Sequence, residues 1–147
     1  MFVVDTNLLV YAAIRESPGH EGARRLVEEW GSSTEAWSIT WSIVYEFLSV
    51  VTRRSIYPRP LSFSESWEFI DALRAFPSFD ILLETGRHAE IVSELAREYP
   101  HLTGTRFHDL HIAAVMRERG ITDIRTADAD FHQFKFLRVS NPLRRSG

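Results

Sequence analysis

Short apolar runs alternate with longer helical stretches along almost the whole chain, and few folds accept that pattern. The first run, Phe2-Val3-Val4, is rich in β-branched residues and ends at once in Asp5-Thr6-Asn7. It reads as a strand buried on both faces, with polar residues at its carboxyl end. Further short strands are predicted at 36–39, 79–83, 123–126 and 136–139. Helices are predicted at 8–14, 20–30, 40–53, from the cap Ser62 to Pro77, at 86–99 and at 106–119. Ala23, Leu26, Val27 and Trp30 form one helical stripe, Ser62-x-x-Glu65 fits a capping box, and Gly120 stops the last helix. Strands alternating with helices predict an α/β domain: a mainly parallel central sheet of about four to five strands with helices on both faces. A chain of 147 residues makes one such domain, spanning 1–147, with a polar tail over 140–147.

Several function classes are excluded early. There are no cysteines, so disulfides, Cys-ligated zinc and clusters, and thiol nucleophiles are all removed. No apolar run approaches the roughly 20 residues that span a bilayer. The N-terminal stretch has no basic segment, and Asp5 and Asn7 interrupt it, so it reads as strand and helix instead of a signal peptide. The expectation is a cytoplasmic protein without a membrane partner. A net charge of −3 argues against a nucleic-acid binder at face value. Two facts soften this. Lys135 is the only lysine, the other basic residues being arginines, which grip phosphate bidentately. Two bound divalent cations would also turn −3 into +1. Where the acids sit therefore matters more than their sum.

In open α/β sheets, ligands bind beyond the carboxyl ends of the strands. Asp5 follows the first predicted strand, and Asp128 and Asp130 follow the fourth. Each alone is an ordinary turn former or helix cap. Two further acids fall on helices. Asp109 has Ile112, Ala113 and Met116 at i+3, i+4 and i+7. Glu46 has Ile43 at i−3, Val50 at i+4 and Phe47 beside it. Such acids either reach solvent at the edge of the stripe or need a partner, because a buried unpaired carboxylate costs several kcal/mol. If the four converge at one end of the sheet, they raise one another's pKa. Hard divalent cations are then the natural neutraliser, which points to two-metal phosphoryl chemistry.

These residues resemble a PIN-domain ribonuclease, of the kind that forms the VapC toxin of a type II (VapBC) toxin–antitoxin pair. The resemblance covers nearly the whole chain. It rests on a strand opening into Asp5-Thr6-Asn7, on the helical Glu46-Phe47, on Gly104-x-x-x-x-Asp109 leading into an Ala-rich helix, and on Thr126-x-Asp128-x-Asp130-Phe131. The segments 104–114 and 126–131 look most like the branch abundant in mycobacteria. The resemblance implies that Asp5, Glu46, Asp109 and Asp128 are catalytic and surround Mg²⁺ or Mn²⁺, two ions per site with substrate bound. Asp5, Asp109 and Asp128 are the implied metal ligands. Asp128 matches the fourth acid by its place two residues after Thr126, and Asp130 takes the role if that register is wrong. Thr6, Asn7, Thr126 and Asp130 are implied to support the ligands or the substrate, although Thr6 serves equally well in helix capping. The implied reaction is endonucleolytic cleavage of RNA by metal-activated water, leaving a 5′-phosphate and a 3′-hydroxyl. The implied partners are the RNA substrate, a cognate VapB-type antitoxin that covers the acidic site, and a second copy of the chain in a homodimer.

Other residues point elsewhere or nowhere. His108 and His111 have a spacing that can bind zinc, but no third well-spaced ligand accompanies them. The arginines at 15, 24, 25, 53, 54 and 59 read mainly as a solvated face, with Arg15 the best placed for RNA. Trp37, Trp41 and Trp67 suit a core or a dimer contact better than base stacking. Receiver domains and haloacid-dehalogenase-like phosphatases also place acids at strand ends. The former want paired acids after the first strand and the latter Asp-x-Asp-x-Thr, whereas this chain has Asp5-Thr6-Asn7-Leu8-Leu9. The alternative from a different class is a catalytically inactive PIN-like module that only binds RNA or a protein.

Overall fold

A computed structural model describes residues 1–144. The strands are β1 (Phe2–Val4), β2 (Trp37–Thr40), β3 (Phe79–Leu82), β4 (Asp123–Arg125) and β5 (Arg138–Ser140). The helices are α1 (Thr6–Ala13), α2 (His20–Ser32), α3 (Trp41–Val51), α4 (Phe63–Arg74), α5 (His88–Glu98) and α6 (Arg106–Glu118). All five strands run parallel, in the order β3-β2-β1-β4-β5. The predicted architecture is therefore present, with five strands.

Each element starts and stops for a local reason. Thr40 caps α3 by accepting from the Ile43 amide, and Ser62 and Glu65 form the reciprocal capping box of α4. Gly120, at φ +69°, ends α6. Its amide donates to Arg117 and the next amide, Ile121, donates to Met116, a Schellman pair of bonds. Most predicted element ends move by one to three residues. The last strand is shifted to Arg138–Ser140, and a 3₁₀ turn at Asp130–Gln133 precedes it. The expected polar tail is accordingly shorter. Ser140 pairs in β5, and Leu143 is half-buried over Gly19 and Gly22, where an added Cβ would meet it at 3.1–3.2 Å. The rest of that tail, 145–147, lies outside the described residues.

Strand order places the site. From β1 the chain moves outward to β2 and β3, then crosses back to lay β4 on the other side of β1. Right-handed crossovers put α1–α4 on one face and α5–α6 on the other. The packing agrees: α1 lies on α2 and α3, α3 on α4, and α5 on α6. The reversal of strand order between β1 and β4 is a topological switch point, the place where such sheets open a crevice at their carboxyl edge. β1 itself is wholly buried. Trp37 is also fully buried, among Phe2, Trp30, Phe76 and Phe79, so it belongs to the core, whereas Trp41 remains 38% exposed.

Two histidines fix α6, the helix carrying Asp109. His111 lies 2.9 Å from Ser42 on α3, and its Nε2 donates to Glu84 at 2.6 Å. His88 donates to Glu118 at 2.6 Å. Glu118 also accepts the amide and the hydroxyl of Thr85, and its side chain is closed to solvent. Burial works against the Glu118 charge, yet the bonds from His88 and Thr85 hold its carboxyl below the ordinary range. Glu118→Gln is expected to cost about 1–3 kcal/mol, because an amide cannot accept all of these donors. An unchanged urea-unfolding midpoint would contradict this.

Candidate active site

The cleft at the switch point holds about 250 Å³ and is lined by Asp5, Thr6, Asn7, Glu46, Asp109 and Asp128, with Val10, Tyr11, Val50 and Tyr57 on its remaining wall. β1 delivers Asp5 and β4 delivers Thr126 and Asp128, because these strands are neighbours in the sheet. α3 carries Glu46 and α6 carries Asp109 in its first turn. Among the described residues, no lysine or arginine lines the cleft.

Asp5 caps α1, its Oδ1 accepting the Thr6 amide at 2.8 Å. Its other oxygen accepts the Thr126 hydroxyl at 2.7 Å and the Asn7 side-chain amide at 3.3 Å. Asn7 is a clamp across the switch point. Its Nδ2 also donates to Thr126 at 3.1 Å, and its Oδ1 accepts the Ala127 amide at 3.1 Å. Thr126 accepts the Asp128 amide in turn, at 2.9 Å. Thr6 does more than follow a cap: its hydroxyl donates to Glu46 Oε2 at 2.8 Å, tying α1 to α3. Asp130 stands back from the cleft lining and donates its backbone amide to Asp128 Oδ1 at 3.0 Å.

Burial separates the acids. Asp5 is buried and Asp109 half-buried, while Glu46 and Asp128 are exposed. The apolar stripe of α3 runs through Ile43, Val44, Phe47 and Val51. Glu46 lies one residue off that stripe, about 100° around the helix, so it reaches the cleft from the edge and not from within the core. For Glu46 the edge position is the correct reading. Asp109 does border the buried Ile112, Ala113 and Met116.

The electrostatics follow. Burial pushes the Asp5 carboxyl up to about 6, against the opposing bonds from Thr126 and Thr6, and the charges of Glu46 and Asp128 add to the rise. Burial pushes Asp109 to about 7, followed by the charges of Asp5, Asp128, Asp130 and Glu46. Strongly perturbed acids gathered in a cleft mark a functional site. Among the described residues, no three acidic or imidazole side chains already stand together as a closed metal cage. The acids instead line an open oxygen-donor cleft, the arrangement suited to a hard cation that completes its shell with water and phosphate. The donor set fits Mg²⁺ or Mn²⁺ and offers nothing soft for zinc. His108 and His111 do not join the cleft.

Residues 2–137 match the PIN domain. The chain belongs to the PIN-domain family. Ribonuclease VapC43 of Mycobacterium tuberculosis is 33% identical over 143 residues, 97% of this chain and 96% of that protein. The sarcin-ricin loop cleaving toxin VapC20 of the same organism has a similar structure, with a TM-score of 0.67 and 21% identity over 93% of this chain and 97% of that one. A toxin–antitoxin complex from Klebsiella pneumoniae contains a similar chain, with a TM-score of 0.60 and 20% identity over 97% of this chain and 98% of that one. Membership in the PIN-domain family agrees with the resemblance carried by the four acidic segments. Val50 was legible as the i+4 neighbour of Glu46, but three other cleft residues, Val10, Tyr11 and Tyr57, had no signal in the sequence. They are ordinary helix and loop residues until the fold aligns them along one wall.

Proposed function

We propose that this chain is a divalent-metal-dependent endoribonuclease and the toxin of a type II toxin–antitoxin pair, hydrolysing RNA phosphodiesters to leave a 5′-phosphate and a 3′-hydroxyl. The observation that carries this reading is the carboxylate cleft at the switch point, with two acids pushed toward neutrality and, among the described residues, no lysine or arginine in its lining to balance them. Asp5, Asp109 and Asp128 are the proposed metal ligands, and Glu46 completes the catalytic acids. When bound, Mg²⁺ or Mn²⁺ (two ions with substrate in place) supplies water activation and neutralises charge on the reacting phosphate.

The chain's own residues prepare that chemistry. Thr126 and Asn7 hold the outer oxygen of Asp5 while the α1 amide holds the inner one, so the carboxylate is fixed before any ligand arrives. Thr6 steadies Glu46, and the Asp130 amide steadies Asp128. No side-chain nucleophile is required, in keeping with the absence of cysteine. The names of the relatives support a ribonuclease, and the Klebsiella complex supports a protein inhibitor. The proposed partners are RNA, a VapB-type antitoxin presenting a basic group to the acidic cleft, and a second copy of the chain. Among the described residues no helix is long and apolar enough to cross a membrane, and the cytoplasm is the proposed location.

The test is cleavage of total bacterial RNA by purified, antitoxin-free protein with Mg²⁺ or Mn²⁺, sequencing the new 5′-phosphate ends. Discrete cuts are expected, lost with chelator and with Asp5→Asn, a variant that keeps the α1 cap and the fold because Asn is also a good cap. A metal-dependent, fully active Asp5→Asn protein would remove Asp5 from the site.

A further inference from the structure

The remainder of the cleft lining carries no carboxylate and has no part in holding a cation. It is made by Val10 and Tyr11 of α1, Val50 of α3 and Tyr57 of the α3–α4 loop. Tyr57 is held there from two directions. Its amide donates to Arg53, and the Leu61 amide returns the loop to Val51. Its hydroxyl approaches that of Ser17, which is otherwise buried without a hydrogen-bond partner, and Tyr11 lies nearby. Most large rings of this chain are spent on one another in the core. Tyr11 and Tyr57 pair with no aromatic ring among the described residues, and both are half-buried.

The segments that supply Tyr11 and Tyr57 also carry arginines. Arg15 leaves the end of α1, and Arg54 and Arg59 flank Tyr57 in its loop. All three are exposed and have no acidic partner among the described residues. Elsewhere Arg24, Arg74 and Arg117 are engaged by carboxylates at 2.6–2.9 Å. Acids and unclaimed aromatic rings lining one cleft, with free guanidinium groups close to those rings in the chain, suit a phosphate, its adjoining base and further phosphates.

Resting on the ribonuclease reading, we propose that Tyr57, backed by Tyr11, is a positioning residue that stacks on the nucleobase next to the scissile phosphate and so helps choose where the strand is cut. Base–aromatic stacking of this kind changes binding by roughly 10- to 100-fold. On the RNA that the protein cuts best, Tyr57→Leu is expected to lower kcat/KM by about that factor, whereas Tyr57→Phe stays within about threefold. Thermal melts of both variants check that the fold persists. The decisive readout is a double cycle with an abasic nucleotide placed immediately 5′ or immediately 3′ of the cut. At one of these positions, the abasic RNA should cost the wild type as much as Tyr57→Leu costs on normal RNA, and the two changes together should cost no more than either alone. Independent losses at both positions, an unchanged Tyr57→Leu protein, or equal losses in Tyr57→Leu and Tyr57→Phe would each overturn this role while leaving the nuclease intact. A wild-type protein that cuts no RNA would overturn the nuclease reading, and this role with it.

Discussion

Asp109→Asn is expected to end cleavage and, at the same time, to strengthen the metal-free protein at pH 8. The Asp109 carboxyl sits at about 7, raised from 3.8 by burial and then by the surrounding acids. A folded-state pKa above the unfolded one means that the fold prefers the neutral acid. The corresponding stability is fully present below about pH 4 and is lost as pH rises through 7. At pH 8 the charged group is a net cost, and asparagine removes it at almost constant volume. The gain is expected to be about 1–2 kcal/mol, reduced from the full shift because Asp109 is half-exposed. That corresponds to a melting temperature higher by a few degrees in chelator. RNA cleavage should fall by at least about 100-fold, the scale for losing one charge-stabilising group of an active site. A lower melting temperature at pH 8, or retained cleavage, would contradict the assignment.

Cation binding should repair the same defect. Asp5, at about 6, and Asp109, at about 7, give up their protons over neighbouring pH ranges and titrate as a coupled set. Their contribution to the stability of the metal-free protein should decline steadily from about pH 4 to pH 8. Mn²⁺ or Mg²⁺ needs the deprotonated acids, so its stabilisation should be large at pH 8 and small at pH 5. At a hundred times its dissociation constant, the ion would contribute about 2.7 kcal/mol, a rise of roughly 5–10 °C in melting temperature. Melting scans at the two pH values, with chelator and with metal, decide it. Equal shifts at both pH values, or an undiminished shift in Asp109→Asn, would place the ion somewhere other than this cleft.

Much of this was visible in the order of residues. The apolar β-branched runs marked the strands, and the caps at Thr40 and Ser62 and the stop at Gly120 marked helix ends, because these signals act within a few residues. The positions of Asp5 and Asp128 just past parallel strands followed from the same local reading. What the sequence hid depends on contacts between distant segments. The exposure of Glu46 turns on a 100° rotation about α3, which apolar neighbours on both sides concealed. The clamp by Asn7 joins positions 7 and 127. His111, which looked like half of a zinc pair, joins Ser42 and Glu84 and so sets α6 against α3. Tyr57 gave no signal at all, because a loop tyrosine acquires meaning only once its loop folds back over the cleft.

The pairing of β1 with β4 also governs when the site can exist during synthesis. Asp5 leaves the ribosome well before its partners, because the strand that flanks it and the hydroxyl that orients it lie about 120 residues later. Until then Phe2-Val3-Val4 has no neighbour on one side, and Asp5 has neither Thr126, Asp109 nor Asp128 beside it. A chain that stops short of β4 therefore has no assembled cleft. An RNA-cutting protein built this way gains its cleft only after β4 and the residues that follow it have been made.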